Sequence, residues 1–236
     1  MLGGKGMIDI HAHILPNADD GVKTTEEALE ILKSYEKSGV EGVCLTPHYA
    51  PRRGFSELKT KISDRYQTLL ESVQKHDIKL NIYLGSEIDY NGNFLEILPL
   101  SHTMNNTSFV LVDFGNGVFD IEEIVYELRL KNLGLIIAHI ERYRYLSLED
   151  IHAIKKMGGI IQVNAKHLLN KGSKPSQKRA LKLLKEDLID IVASDIHNHD
   201  DAMDFVKAYQ FVKKKKDQAT ADKLFDANPK KVLGIK

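Results

Sequence analysis

Short apolar runs alternate with longer amphipathic segments along the whole chain, and this alternation constrains the fold more than any other feature. The runs predict seven strands, at Met7–Ile10, Gly42–Thr46, Leu80–Leu84, Phe109–Val112, Leu135–Ala138, Ile160–Val163 and Ile189–Ala193. Several runs are apolar throughout, which is typical of parallel strands buried on both faces. The sequence therefore predicts an α/β fold built on a closed or doubly wound parallel sheet.

The segments between these runs predict helices, and several carry start signals. Thr24 and Glu27 match a capping box ahead of a helix over Ala28–Ser38. Further helices are predicted at Ser56–His76, Ser147–Met157, from Ser176 onward, at Asp201–Lys216 and at Asn228-Pro229, read as cap and first-turn proline. No repeat or linker interrupts the chain, so we expect one domain over residues 1–236, with residues 1–6 as an N-terminal extension.

Imidazoles and carboxylates recur where the predicted strands end. The first strand runs into IDIHAHILPNADDG, where His11 and His13 point to the same side of an extended chain and Asp20 can add an oxygen ligand from the following turn. Later strand ends deliver His48, Glu87, Asp113, His139, Asp195 and His197, and the sixth delivers the polar Asn164. The C-terminal strand ends of a βα barrel meet at one rim, so these residues become neighbours there.

Metal binding explains this arrangement better than a metal-free acid/base pair does. Converging carboxylates would repel one another without cations between them, and mixed imidazole and carboxylate ligands suit zinc, manganese or iron(II). One histidine at a strand end is more often an exposed or hydrogen-bonded side chain, so the repetition carries the argument. The remaining histidines are interpreted as non-ligands on helices or loops, with only His199 kept open: His76, His102, His152, His167 and His199.

Composition gives no sign of a nucleic-acid or membrane partner. Lys+Arg and Asp+Glu balance at 33 each, so any recognition of phosphate must be local, and Lys213–Lys216 is interpreted as a solvated helix end. The N-terminal MLGGKG lacks the apolar core of a signal peptide, and no stretch is long enough to span a bilayer. The single Cys44 is interpreted as a buried thiol. We expect a cytoplasmic protein without membrane insertion.

The order of the motifs resembles the polymerase and histidinol phosphatase (PHP) superfamily. The motifs are IDIHAHILPNADDG, TPHY, GSEI, AHIERY, VNA and ASDIHN, and the likeness runs from about Met7 to the C-terminus. Within the superfamily they are most similar to the bacterial manganese-dependent protein-tyrosine phosphatases of capsule and exopolysaccharide operons, the CpsB/CapC-like proteins. The resemblance implies a single-domain distorted (β/α)7 barrel of PHP type with up to three divalent ions, manganese being expected and iron or zinc the alternatives.

The resemblance also implies three ligand sets. One ion would be held by His11, His13, Glu87 and Asp195, a second by Glu87, Asp113 and His139, and a third by Asp20, His48 and His197. Arg142 in HIERY matches the arginine that binds the substrate phosphate, a task that suits its planar fork.

Two positions depart from the family pattern. Asp113 stands where the family often has the longer glutamate, so occupancy of the second ion is less secure. No arginine follows SDIHN, so a second phosphate contact is lost or supplied elsewhere. Arg52 and Arg53 in the APRRG loop are candidates, although a solvated loop pair is an equally good interpretation.

The implied activity is metal-dependent hydrolysis of phosphotyrosine on a protein, with the tyrosine-rich tail of a bacterial tyrosine kinase that controls polysaccharide synthesis as substrate. A metal-activated hydroxide is the expected nucleophile, since no C-x5-R phosphate loop is present. Three alternatives stay open: a small-molecule phosphatase of the histidinol-phosphate type, an amidohydrolase, and a non-catalytic metal-binding scaffold. VLVDFG disfavours the amidohydrolase, because it offers Asp113 where those enzymes commonly carry a modified lysine.

Overall fold

A computed structural model of the protein describes residues 6–56, 59–90 and 102–236. The predicted N-terminal extension, apart from Gly6, lies outside the described residues, and so do positions 57–58 of the predicted second helix.

The described residues form nine strand segments, and every pairing between them is parallel. They are β1 (Met7–Ala12), β2 (Val40–Leu45), β3 (His48–Tyr49), β4 (Asn81–Leu84), β5 (Glu87–Asp89), β6 (Phe109–Asp113), β7 (Gly134–Ile137), β8 (Ile160–Asn164) and β9 (Ile191–Ala193). One sheet has the order β1-β2-β4 and the other the order β3-β5-β6-β7-β8-β9. The seven predicted strands are confirmed, with ends shifted by at most two residues.

Two of the predicted strands are broken, which accounts for the two extra segments. β3 resumes the line of β2 after Thr46-Pro47, and β5 resumes the line of β4 after Gly85-Ser86. Proline has no backbone N–H to donate to a ladder, so a break at Pro47 is expected. The continuations were not predicted, because two or three residues carry no periodic signal. They place His48 opposite Glu87 in the parallel register.

The two sheets are joined on both sides. On one side the chain itself runs from β2 into β3 and from β4 into β5. Across the other junction Asp195 N donates to His11 O at 2.9 Å. His13 N also donates to Ile196 O at 2.9 Å. The end of β9 therefore lies beside β1, and the curled parallel sheet has the distorted (β/α)7 barrel architecture that the sequence predicted.

Helices cover the outside of the sheet. They are α1 (Thr25–Lys37), α2 (Lys59–Lys75), α3 (Ile121–Leu130), α4 (Leu148–Lys156), α5 (Ala165–Leu168), α6 (Lys174–Lys185), α7 (Asp204–Lys215), α8 (Gln218–Asp222) and α9 (Asn228–Leu233). Short 3-10 turns occur at Pro51–Arg53, Met104–Asn106, Ile140–Arg142 and His199–Asp201. The described helices contain none that unites the length with the low polarity that a membrane-crossing segment requires.

Local signals located most of these helices. The capping box at Thr24 is confirmed, and a second one at Ser147 opens α4. α3 was missed, although Asp120 caps it through the backbone N–H of Glu123. The last short helix and its first-turn proline are confirmed in α9, but the predicted capping role of Asn228 was wrong. The π-helical turn Lys223–Ala227 runs directly into α9, and the Asn228 side chain instead donates to Asp190 O at 2.7 Å.

The inside of the curled sheet is packed with apolar side chains. This inner cluster is separate from the larger layer between strands and helices and contains Ile8, Ile10, Cys44, Met104, Leu111, Ile136, Ala138, Ile191, Ala193, Val232 and Leu233. Cys44 is fully buried and free, as predicted, and burial raises the pKa of its thiol. The residues at the mouth of the barrel therefore rest on a dry floor rather than on an open channel.

Candidate metal centre

All nine predicted ligands meet at the C-terminal mouth of the barrel. Three groups bring their ligand atoms within 4.8 Å of one another: His13, Asp20, His48 and His197; His11, His13 and Asp195; and Glu87, Asp113 and His139. His13 belongs to the first two groups, and Glu87 of the third lies 3.3 Å from both His11 and His13, so the three form one continuous cluster. The predicted convergence of distant strand ends is therefore present in the fold.

Glu87 lies at the centre of this cluster and is almost completely buried. Its Oε2 atom lies 3.3 Å from Nε2 of both His11 and His13 and 2.9 Å from Nδ1 of His48, while Oε1 lies 2.9 Å from Nε2 of His139. Oε2 has no hydrogen-bond partner in good geometry among the described residues. The Nε2 atoms of His11 and His13 are only 3.2 Å apart. A buried carboxylate oxygen facing several imidazole nitrogens is the donor set that a divalent cation binds.

Asp195 closes the inner side of the cluster. Its Oδ1 lies 3.6 Å from Nε2 of both His11 and His13. Its Oδ2 accepts from Arg142 at 2.5 Å and from Asn164 Nδ2 at 2.6 Å. The carboxylate therefore faces both the ligand cluster and the phosphate-binding arginine predicted from HIERY.

Two ligand residues adopt backbone conformations that side chains other than glycine rarely take. His139 has φ +34° and Asp195 has φ +55°, both in the left-handed region. Such residues cost on the order of 1 kcal/mol or more and cluster at functional sites. Both follow the last residue of a strand closely, so the turn directs their side chains into the mouth.

A second irregularity lies in β1. Asp9 and Ala12 are three positions apart in β1, but their partners Val43 and Leu45 are only two positions apart in β2. This β-bulge adds one residue to the strand and changes the direction of the side chains beyond it. The simple two-residue alternation used to pair His11 with His13 is thus modified locally, although the two rings still converge.

The loop after β1 carries two adjacent aspartates with different roles. Val22 N donates to His13 O at 3.0 Å, so the loop folds back over the strand end. A Cβ atom on Gly21 would lie 2.2 Å from His13 O, so only glycine fits there. The return directs Asp19 inwards to His13 and leaves Asp20 at the outer edge, 45% exposed.

Asp20 organises the outer part of the cluster. Its Oδ1 lies 3.3 Å from Nε2 of His48 and 3.5 Å from Nε2 of His197. Its Oδ2 accepts from Arg53 at 3.0 Å. The Arg53 guanidinium also lies over the Phe55 ring, 5.4 Å from its centre, and Phe55 stacks against His48. The segment after β3 therefore supplies an arginine and an aromatic ring at the mouth.

The electrostatics around Glu87 and Asp195 favour the charged form of both carboxylates. Burial alone raises the pKa of Glu87, but His11, His13 and His139 outweigh it and hold that pKa well below its ordinary value. Burial likewise opposes ionisation of Asp195, while His11, His139 and Arg142 lower its pKa. These carboxylates are therefore ionised at neutral pH and available to cations.

The imidazoles show the reverse behaviour. Burial lowers the pKa of His13, but Asp19 and Glu87 overcome it and raise that pKa well above its ordinary value. Burial also opposes the charged form of His11, and Glu87 and Asp195 raise its pKa. In the absence of other cations, protons on these rings balance the negative charge of the carboxylates. The binding of a metal cation therefore releases protons.

The sequence matches the family described as "Capsular polysaccharide synthesis, CpsB/CapC" over residues 7–234. The chain belongs to the CpsB/CapC family. It is 33% identical to tyrosine-protein phosphatase CpsB of Streptococcus agalactiae over 240 residues, which cover 96% of this chain and 98% of that protein. It is 30% identical to tyrosine-protein phosphatase YwqE of Bacillus subtilis over 203 residues, covering 81% and 78%.

A solved structure agrees with this assignment. The crystal structures described as YwqE from Bacillus subtilis and CpsB from Streptococcus pneumoniae, unique metal-dependent tyrosine phosphatases, include a chain that matches with a TM-score of 0.86 and 26% identity. The match covers 97% of this chain and 94% of that chain. The fold of this CpsB/CapC protein is therefore that of its family.

Several residues of this CpsB/CapC protein that hold the ligands were not predicted. Asp19 contacts His13, Gln162 contacts His11, and Tyr143 contacts Asp113 and His139. The pair Asp19-Asp20 was a signal, but nothing local shows which aspartate turns inwards. Asn164 was noted as a polar strand end without a role, and it donates to Asp195.

The histidines interpreted as non-ligands lie outside the three groups. His199 faces Ser34 at 3.4 Å on the exposed side of α1, so the rim role kept open for it is not supported by its position. His102 contacts Ser86, and His167 contacts Glu141 at 2.5 Å. These contacts agree with the interpretation of both residues as non-ligands.

Proposed function

We propose that this protein is a metal-dependent phosphatase that removes phosphate from tyrosine residues of a protein, with the tyrosine-rich tail of a bacterial tyrosine kinase in capsule synthesis as its substrate. The observation that carries the proposal is the buried Glu87 carboxylate, which faces four imidazoles and has no hydrogen-bond partner for Oε2 in the described residues. The relatives CpsB and YwqE are named tyrosine-protein phosphatases, which supports the same activity here.

Each of the three ligand groups would hold one divalent ion. His11, His13, Glu87 and Asp195 would bind the first, Glu87, Asp113 and His139 the second, and Asp20, His48 and His197 the third. We propose manganese as the ion, with iron or zinc as alternatives, because all three accept imidazole and carboxylate ligands. When bound, such ions neutralise phosphate charge and bring the pKa of water close to neutrality.

Arg142 would bind the phosphate group of the substrate. Its side chain is 39% exposed at the mouth, and Asp195 fixes the guanidinium on its inner side. The Coulomb attraction of Asp195 and neighbouring carboxylates outweighs burial and raises the pKa of Arg142, so it remains charged. A planar guanidinium can pair two phosphate oxygens and stabilise the charge that grows as the ester bond breaks.

Arg53 would supply the second cationic contact that the family pattern places elsewhere. It approaches the cluster through Asp20, a member of the outer ligand group, whereas Arg142 approaches through Asp195. The ion pair with Asp20 supports Arg53 in this role. Phe55, which lies under the Arg53 guanidinium, would offer an aromatic face to the phenol ring of the substrate.

The leaving group favours phosphotyrosine over phosphoserine. Tyrosine has a pKa of about 10, so its phenolate departs without the strong general acid that a serine alkoxide requires. The selectivity would therefore come from chemistry as well as from the aromatic face.

The test compares three substrates with protein purified without a histidine tag. A phosphotyrosyl tail peptide, the matching phosphoseryl peptide and histidinol phosphate are incubated with Mn²⁺, with and without a chelator. We expect release from the phosphotyrosyl peptide to be fastest, to stop with chelator and to return with Mn²⁺. Faster release from histidinol phosphate would favour the small-molecule phosphatase. Metal uptake without release from any substrate would favour the scaffold.

A further inference from the structure

We propose that Asp19, Gln162 and Tyr143 are positioning residues that keep the ring protons of His13, His11 and His139 on Nδ1, so that Nε2 of each ring is left to face Glu87. The inference rests on the proposed function only in taking the mouth cluster as the metal site. The donors and acceptors that surround each of the three rings determine which ring nitrogen carries the proton.

Gln162 determines the proton position on His11. Its Oε1 lies 2.9 Å from the backbone N of His139 and 3.2 Å from Nδ1 of His11. A backbone N–H can only donate, so the amide atom near it must be the oxygen. The same orientation lets Gln162 Nε2 donate to Asn164 Oδ1 at 2.9 Å. With the oxygen fixed in this way, His11 can meet it only by donating from Nδ1.

Asn164 extends this fixed orientation to Asp195. Its Oδ1 is occupied by the Gln162 amide, so its Nδ2 is directed to Asp195 Oδ2 at 2.6 Å. Both side chains come from β8 and both are fully buried. One strand therefore orients an imidazole ligand and a carboxylate ligand through a single chain of hydrogen bonds.

Asp19 determines the proton position on His13. Its Oδ1 accepts from Gly21 N at 2.9 Å, and its Oδ2 accepts from His48 N at 2.9 Å. His13 Nδ1 lies 2.7 Å from the same Oδ2. A carboxylate whose oxygens both meet backbone donors acts as an acceptor, so His13 donates from Nδ1.

Tyr143 determines the proton position on His139. Its hydroxyl accepts from Phe114 N at 3.0 Å and lies 2.9 Å from Asp113 Oδ1. A carboxylate oxygen can only accept, so the single hydroxyl proton of Tyr143 points to Asp113. Towards His139 Nδ1, at 3.3 Å, the hydroxyl can then only accept. His139 therefore donates from Nδ1 and leaves Nε2 facing Glu87 Oε1.

The same outcome at three rings has a consequence for metal binding. An outer partner that receives the Nδ1 proton fixes the ring and makes Nε2 a better ligand, and its loss costs about 10- to 100-fold in metal affinity. His48 differs, because its Nδ1, not its Nε2, faces Glu87. This orientation distinguishes His48 from His11, His13 and His139.

The experiment measures proton position and metal affinity, neither of which requires phosphate release. The protein is labelled with ¹⁵N at histidine and loaded with diamagnetic Zn²⁺, and the spectra report which ring nitrogen carries the proton. Zn²⁺ affinity is measured by competition with a chelator. We expect the rings of His11, His13 and His139 to carry their protons on Nδ1 in the wild type. We expect Gln162→Leu to lose the His11 signature and to bind Zn²⁺ about 10- to 100-fold more weakly.

Matched variants separate positioning from packing. Tyr209→Phe removes the hydroxyl of another buried tyrosine, one that donates to Asp222 Oδ1 outside the three ligand groups, and we expect it to change neither readout. Gln162→Glu keeps an oxygen for His11 and should retain more affinity than Gln162→Leu. If Gln162→Leu fails to fold, Tyr143→Phe tests the same idea at His139. Protons on Nε2 of these three rings in the wild type, or affinities in both Gln162→Leu and Tyr143→Phe equal to that of Tyr209→Phe, would overturn the proposal.

Discussion

The inner and outer halves of the metal centre are held in different ways. The inner half consists of Glu87, His11, His13, His139 and Asp195, whose side chains are at most 4% exposed. The outer half contains Asp20 at 45% exposure and His197 at 32%, with Arg53 beside them at 42%. Inner residues lie on or next to strands, whereas outer residues come from the loops that follow.

The difference indicates a division of labour. Buried side chains with hydrogen-bonded partners have one available geometry, so the inner half is suited to holding ions permanently. Exposed side chains on loops can move at little cost, so the outer half is suited to admitting and releasing a phosphorylated segment. Four variants test this contrast, and each is paired with a control variant at an exposed residue of the same type.

Glu87→Gln should have the largest effect. The amide removes the charge shared by the inner histidines, and we expect phosphate release from a phosphotyrosyl peptide to fall on the order of 10³-fold, as for loss of a main charge-stabilising group. Bound Mn²⁺, measured by elemental analysis, should fall as well. Glu71→Gln on the exposed side of α2 is the control and should match the wild type. Full metal content in Glu87→Gln would show that the inner half does not depend on this carboxylate.

Arg142→Ala should have the next largest effect, and it should separate catalysis from metal binding. We expect kcat to fall about 10²- to 10³-fold, because a cation that stabilises the breaking ester is lost. Metal content should stay at the wild-type value. Arg142→Lys should recover only part of kcat, since an ammonium cannot pair two oxygens in one plane.

The exposed Arg144, two residues further along the chain, provides the control for this position. Arg144→Ala should leave kcat and metal content unchanged. Equal losses in Arg142→Ala and Arg144→Ala would point to a general change of the segment after β7 and not to phosphate binding.

Asp20→Asn should weaken metal binding only in the outer half. We expect about one ion per chain to be lost after dialysis, because the weakened group binds its ion less tightly than the inner groups do. Activity should be reduced at limiting Mn²⁺ and recovered at excess Mn²⁺. The exposed Asp77→Asn is the control. Loss of all bound ions in Asp20→Asn would contradict the separation into two halves.

Arg53→Ala should have the smallest effect of the four. Its ion pair with Asp20 is half exposed and screened by solvent, so we expect KM to rise by about tenfold or less, with kcat little changed. Arg52→Ala is the matched control and should change KM less than Arg53→Ala does. If Arg52→Ala raises KM more, the second phosphate contact belongs to Arg52.

Sequence patterns alone determined the positions of the strands along the chain, most helix starts and the set of converging ligands. Strands buried on both faces have an apolar signature that depends on few other residues, and capping at Thr24 and Ser147 involves residues only three positions apart. The ligands could be predicted from the residues that follow each strand, because a parallel βα fold brings all C-terminal strand ends to one side.

Tertiary structure alone decided how the ligands are held. The inward turn of Asp19 depends on the close approach of Gly21 to His13, and the bulge in β1 depends on its pairing with β2. Gln162 reaches His11 from 151 residues away along the chain. Hydrogen bonds over such separations leave no periodic trace, because each depends on where two distant segments meet in space.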